Sequence, residues 1–359
     1  MSAPVVENRS PAARKIIIRN ADLNADRSVL VSCFYQFLTP LSDERRYDWL
    51  YRDNPDGPAR VWIAHDPENG ALVGSGSAIP RRFWMGGDEV LGCIFADFWI
   101  HPNYRSLGPA LQLQRACMQS LDQGDYQFCI DFPKMSMVAV YRRLGVQPAE
   151  AMVRWAKPLR VDSKIGQKVK PAVLAKCLSA AGNRLLELSD RRFGRSKKFE
   201  IYTHEGPFGE EFTELGRTAC CGYDFCVARN QSYLNWRYRN HFHQQYSTLV
   251  AREGSRLTGY LVMLRDGNYG QVIDLIGKPG HECLEMLLAR AVSIFREQGI
   301  ELMNAPMLPS DPAAQLFKHL GFYARESSPI VIYASSHGSY GHALPGKGKW
   351  FLMQGDRES

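Results

Sequence analysis

The chain has 359 residues, 45% of them hydrophobic and 23% charged, an ordinary globular composition in a length that accommodates two domains with separate cores. Its formal net charge of +7 suits an anionic ligand, nucleic acid or an anionic membrane surface, but the basic residues are mostly scattered, with Arg191–Lys198 the densest stretch, so nucleic-acid binding is not expected. Nine irregularly spaced cysteines without a CxxC pair argue against a disulfide framework and a zinc site. The first twenty residues lack an apolar signal region, and the most apolar run, Val90–Ile100, contains Asp97 and is too short to span a bilayer. The expected setting is a reducing cytoplasm.

In chain order, Tyr47–Asn54 (YDWLYRDN) precedes a short strand-like run at Val61–Ala64, a turn at Pro67–Gly70 and a second strand opening at Leu72. A long strand over Glu89–Ile100 leads to a helix over Pro109–Leu121, with apolar residues at 110, 111, 113, 116 and 117. A strand over Tyr126–Phe132 follows, then a helix near Met135–Leu144 closed by Gly145 as C-cap. Pro171–Leu188 reads as a connecting helix, and Lys164–Lys170 before it as a hinge.

Much of this pattern then recurs. Leu234–Asn240 (LNWRYRN) places Trp236, Tyr238 and Arg239 at an offset of 187 from Trp49, Tyr51 and Arg52. The strand Thr248–Ala251, the turn Glu253–Ser255 and the strand opening at Leu257 repeat the same order. Asp274 in QVIDLIG matches Asp97 in IFADFWI, and Phe317–Phe322 (FKHLGF) matches Tyr141–Val146 (YRRLGV). The remaining equivalents are a strand over Tyr269–Ile276, a helix over Cys283–Gln298, a strand over Glu301–Ala305 and a helix over Asp311–Leu320 closed by Gly321. The chain thus divides into a first unit (1–160), a helical linker (161–205), a second unit (206–335) and a tail (336–359). In the tail, Trp350–Met353 reads as a final strand and the polar residues after it as a frayed end.

Chemistry concentrates in Trp99–Leu111, WIHPNYRSLGPAL. A strand ending at His101–Pro102 turns into a helix, and a helix N-terminus offers unpaired N–H groups and a positive dipole end to an anion. Gly108 lets the backbone approach phosphates, Ala110 keeps the first turn thin, and Pro109 preorganises it while giving up one donor. The competing reading is an ordinary strand–turn–helix connection.

These residues resemble the GNAT acetyltransferases, whose pyrophosphate loop reads Arg/Gln-x-x-Gly-x-Gly/Ala; Pro102, Tyr104, Arg105, Gly108 and Ala110 fit. Met137–Val146 resembles the last conserved segment of that family, a helix with Tyr four residues before Gly. The resemblance assigns Ile100, His101, Arg105, Ser106, Leu107, Gly108, Pro109 and Ala110 to acyl-CoA binding. It assigns Tyr141 to protonating the departing thiolate, for which a phenol with an ordinary pKa of about 10 is equipped; a packing role at the sheet is the alternative. Lys134 stands where an Asn is common and Val146 where a Phe is usual. Asp97, or His101, is placed to take a proton from an attacking amine, although Asp274 at the matching place in the second unit favours a structural role for Asp97. A family bulge in this strand would shift its alternation by one.

The second unit lacks both devices, with Ile276–Leu284 (IGKPGHECL) in place of the loop and Phe317 in place of Tyr141. The resemblance therefore implies two tandem α/β (α+β) units, each a mixed, largely antiparallel sheet with helices on both faces, the second degenerate. The implied activity is acyl transfer, with acetyl-CoA the expected cosubstrate, to a primary amine of a small molecule or sugar. The rivals are a non-catalytic acyl-CoA- or partner-binding module and an acyltransferase that uses an acyl carrier protein or aminoacyl-tRNA. No metal is expected, and His241 and His243 have no carboxylate or Cys at ligand spacing. The repeated Trp-Tyr-Arg segments serve either packing or acceptor contact.

Overall fold

The computed structural model describes residues 16–38, 43–105, 107–124, 126–277, 281–334 and 348–357. Its first half runs β1 (Ile17–Asn20), α1 (Arg27–Cys33), α2 (Glu44–Tyr47), β2 (Arg60–His65), β3 (Leu72–Met85), β4 (Asp88–Ile100), α3 (Leu107–Asp122), β5 (Phe128–Asp131), α4 (Met135–Arg143) and β6 (Glu150–Pro158). Two helices, α5 (Asp162–Lys168) and α6 (Ala172–Asp190), lead into β7 (Glu200–His204), α7 (Glu210–Cys220), β8 (Phe225–Val227), α8 (Gln231–Leu234), β9 (Ser247–Glu253), β10 (Arg256–Asp266) and β11 (Tyr269–Gly277). The chain continues through α9 (His281–Glu297), β12 (Leu302–Met307), α10 (Ala313–His319) and β13 (Tyr323–Ala334) to β14 (Trp350–Phe351).

Local chemistry accounts for several of these elements. Gly86 and Gly87, at φ +58° and +101°, close the β3–β4 hairpin as a two-residue turn that requires positive φ at both positions. The Asp43 carboxylate accepts from the Arg46 N–H at the start of α2, and Asn230, at the same offset of 187, accepts from the Tyr233 N–H at the start of α8. Each cap satisfies one of the orphan donors of a helix start. α3 starts at Leu107, two residues before the expected start, so Pro109 lies in its first turn, where an N–H has no intrahelical acceptor.

The strands join in the order β1-β2-β3-β4-β5-β13-β6-β12-β11-β10-β9-β7, with β8 added to β3 and β14 to β8. With each first-half strand matched to its second-half counterpart, the order is symmetric about its centre. Sequence reading misses β6 and β13, and these two carry the architecture: β6 follows the first-half helices yet pairs with β12, while β13 pairs with β5, and the two pair with each other. Each half lays its last strand into the other half's sheet. A boundary at 160 divides the sequence, but the sheet is shared.

In the first half α3 and α4 cover one face, where Leu113, Cys117 and Tyr141 pack on Val73, Cys93 and Cys129. The other face joins Phe34, Tyr47, Leu50 and Tyr51 to a cluster that runs on into Tyr233, Trp236 and the second half. At its centre the rings of Trp49 and Trp236 stack at 4.4 Å and 8°. Each indole Nε1 donates to the other residue's carbonyl, at 3.0 and 2.9 Å. The repeated tryptophans are the seam between the halves, not an acceptor contact.

Two further expectations are corrected. Lys164–Lys170 is not a hinge, because most of it lies in α5, packed against α6. The polar end is not frayed up to Arg357: β14 pairs with β8, and Gln354–Asp356 form a turn in which Gly355 and Asp356 are buried. Residues 335–347, 358 and 359 lie outside the described residues.

Candidate active site

Asp97 sits at φ +52°, the single non-glycine residue with positive φ among those described. The cause is a bulge. Ser77 pairs with Ala96 and Ser75 with Trp99, so Gly76 faces both Asp97 and Phe98. A Cβ on Gly76 would come within 3.2 Å of the Phe98 ring, so glycine here makes room for the extra residue. The alternation slips at this point. Phe95, Phe98 and Ile100 face the α3–α4 core, while Asp97 and Trp99 turn to the α1–α2 side, with Trp99 stacked on Phe37 at 4.2 Å.

The Asp97 side chain is 6% exposed. Arg46 grips both its oxygens, at 2.9 and 2.8 Å, and the Tyr51 hydroxyl donates to Oδ2 at 3.0 Å. This bidentate pair holds the strained backbone of the bulge, and it leaves neither carboxylate oxygen without a donor.

β4 and β5 run parallel but share only the rungs Cys93–Cys129 and Ile94–Ile130. Beyond Ile94, β4 continues to Ile100, while β5 ends at Asp131. The strands part into a wedge that opens towards their carboxyl ends, where α3 begins. The turn between β4 and α3 is pinned: Tyr104 donates to Asp66 at 2.5 Å, and Arg105 Nε donates to the Ile100 carbonyl at 3.3 Å. His101 Nδ1 accepts from the Asn103 N–H at 3.2 Å. Of the expected cofactor residues, Ile100, His101 and Arg105 line this turn, and Leu107, Gly108, Pro109 and Ala110 form the first turn of α3. Ser106 and the Leu107 side chain lie outside the described residues.

Tyr141 projects from α4 onto the floor of the wedge and is fully buried. Its hydroxyl donates to Asp131 Oδ2 at 2.7 Å and accepts from Gln114 Nε2 at 3.1 Å. Burial, and then the neighbouring carboxylate, push the phenol far above its usual range, so it stays protonated at neutral pH. Asp131 is half-buried, but enough protein surrounds its carboxyl that burial raises its pKa to about 6, against the Tyr141 hydrogen bond that lowers it. Sequence reading misses Asp131 and Gln114. The available signal is a lone carboxylate ending the apolar run Phe128–Ile130, ten residues before Tyr141.

On the α1 face of β4, Ser32, Cys33, Gln36, Phe37, Trp99 and His101 line an open hollow of about 330 Å³. Burial pushes the Cys33 thiol up to about 11, which keeps it a neutral thiol. Among the described residues no cluster of His, Cys, Asp or Glu could hold a metal, and no helix is long and apolar enough to cross a membrane.

The sequence matches no protein-family model and no curated protein. Solved structures do resemble it. A GCN5-related N-acetyltransferase from Anabaena variabilis superposes with a TM-score of 0.65 at 13% identity, covering 89% of this chain and 73% of that one. One from Kribbella flavida gives 0.60 at 15% identity, covering 96% and 85%. Saccharomyces cerevisiae N-myristoyltransferase with bound myristoyl-CoA gives 0.56 at 12% identity, covering 91% and 84%. The chain carries the GNAT fold.

The second half of this GNAT fold contains a matching wedge, and it is filled. β11 and β12 share rungs only over Tyr269–Gln271 and Leu302–Asn304. Past them, Met353 bridges Met307 at the end of β12, and Gly355 lies so close to β11 that a Cβ would come within 3.1 Å of the Ile273 carbonyl. The Gly355 carbonyl accepts from Tyr233 and Arg237. Arg229, fully buried, binds Asp356 at 2.9 Å and Asp274 at 3.2 Å. Asp274, the counterpart of Asp97, also accepts from Tyr260 at 2.9 Å. Phe317, at the place of Tyr141, packs on Phe322.

Proposed function

We propose that the chain is an acyl-CoA-dependent N-acyltransferase whose single site is the β4–β5 wedge, with acetyl-CoA as donor and a primary amine of a small molecule or sugar as acceptor. One contrast carries the reading: in the first unit Tyr141 meets Asp131 where β4 and β5 part, whereas in the second unit Phe317 takes its place and the chain's own residues 353–356 lie between β11 and β12. Structures of like fold are N-acetyltransferases and an N-myristoyltransferase with bound myristoyl-CoA, which supports a thioester as the donor.

In this reading the α3 N-terminus, with Arg105 and residues 106–110, receives the pyrophosphate. Ile100 and His101 border the arm that enters the wedge, and the β5-facing N–H groups of β4 beyond Ile94 polarise the thioester carbonyl. The amine enters from the α1 side, through the hollow beside Trp99. Tyr141 gives its proton to the sulfur as the C–S bond breaks, and Asp131 restores it from its own protonated form or from solvent. With both oxygens on Arg46, Asp97 anchors the bulge; the amine's proton leaves to water.

One observation favours a non-catalytic binding module instead: the Tyr141 proton points at Asp131. Calorimetric titration with acetyl-CoA and assay of free thiol release with a panel of amines separate the two. Binding near one equivalent with amine-dependent thiol release supports the enzyme. Binding without release supports the module, and a stoichiometry near two refutes the single-site reading.

A further inference from the structure

The chain's positive charge is not spread evenly. Between Arg160 and Lys198 lie eleven of its 44 basic residues and three of its 37 acidic ones. That segment therefore carries +8, while the remainder carries −1 of the total of +7. All eleven basic residues except Arg160 are exposed. The three acids are already engaged: Asp162 with Arg160, Glu187 with Arg184 and Arg191, and Asp190 with Lys157 and Arg296.

The same segment holds α6, which has two apolar faces. Ala175 and Ser179 are buried. On another side Leu174, Leu178, Leu185 and Leu188 recur at helical spacing as an exposed stripe, with Val173 beside them. Leu185 is 68% exposed and Val173 76%. Five large aliphatic side chains standing in water along 19 residues, about 28 Å of helix, is not what a solvated face needs.

We propose that α6 is an interfacial helix that seats this protein on an anionic lipid bilayer. The leucine stripe enters the boundary between headgroups and acyl chains, and the exposed Lys164, Lys168, Lys170, Arg192 and Arg195 at the two ends of α6 meet anionic headgroups. Charge decides against the alternatives. A second copy of this face would bring like charge against like. A nucleic acid would use the basic residues but leave the aliphatic stripe in water, with no aromatic ring on α6 for a base to stack on. The inference stands independently of the acyl-transfer reading.

The test is flotation of the full chain with vesicles of phosphatidylcholine alone and of phosphatidylcholine with about a third phosphatidylglycerol. Binding is expected on the anionic vesicles, weakening with added salt. Leu174→Gln/Leu178→Gln/Leu185→Gln should reduce it roughly tenfold or more, and each of Lys164→Gln, Lys168→Gln and Lys170→Gln roughly fivefold. All these side chains are exposed, so melting curves should match wild type. Absence of binding, equal binding to neutral vesicles, or an unchanged triple leucine variant overturns the proposal. Self-association of the wild type that the leucine variant abolishes overturns it in favour of a protein partner.

Discussion

Replacing Tyr141 by Phe keeps the ring in its packed site and removes one hydroxyl, and the structure separates two consequences. The first is on turnover. If the phenol protonates the leaving thiolate, kcat should fall roughly 10²–10⁴-fold, the scale of general acid–base catalysis. The second is on stability, since the hydroxyl also donates to Asp131 at 2.7 Å and accepts from Gln114 at 3.1 Å. Losing a donor to a buried carboxylate costs about 1.5–3 kcal/mol, so the variant should melt a few degrees lower. The pH dependence has a definite sign. Asp131's folded pKa is raised to about 6, so its contribution is complete below its unfolded value and is lost as pH rises through 6. Without Tyr141 the carboxyl loses a hydrogen bond that lowers its pKa, so the stability gap between wild type and variant should widen from pH 5 to pH 8. Adding Asp131→Asn removes the buried charge, closing the widening without restoring turnover. Amine-dependent thiol release and thermal melts across that range measure both. Recovery of turnover together with stability in the double variant would mark Tyr141 as a packing residue, and full activity in Tyr141→Phe would exclude the acid role.

Gly108→Asp should abolish acetyl-CoA binding, because it sets a carboxylate at the α3 N-terminus beside the pyrophosphate; unchanged affinity by calorimetry would remove that loop from the site. Asp97→Ala strips Arg46 of its bidentate partner and should cost about 3–5 kcal/mol, with roughly 1 kcal/mol more because Ala tolerates positive φ poorly. Asp97→Asn should lose less, and denaturant unfolding ranks the two. Asp356→Ala removes one of the two carboxylates on fully buried Arg229 and should cost a comparable 3–5 kcal/mol; a melting curve like wild type would show that residues 353–356 do not hold the second wedge closed.

Much of the local structure is legible in the residues themselves. Gly145 ends α4 with φ +81°, as a glycine after an amphipathic run predicts, and the apolar spacing finds α3, α4 and α9 to within a few residues. The Trp-Tyr-Arg segments show their pairing in advance through the offset of 187, though not that the two tryptophans meet. Strands β6 and β13 are illegible for a physical reason. Their polar residues read as loop because the partners that satisfy them come from distant elements: Lys157 in β6 is bound by Asp190 and the Leu320 carbonyl, and Arg154 by Glu326 and Asn304. Asp131 shows in the sequence only as a carboxylate after an apolar run, since it acquires its raised pKa from the protein packed around it.

Periodicity, glycine placement and capping residues act within a few residues, so the sequence by itself determined many of the helices and hairpin strands, the loop before α3 and the contrast between Tyr141 and Phe317. Strand exchange, the bulge at Asp97 and the Arg229–Asp356 pair that closes the second wedge depend on groups far apart along the chain. Only the tertiary structure could show that residues 353–356 fill the second wedge.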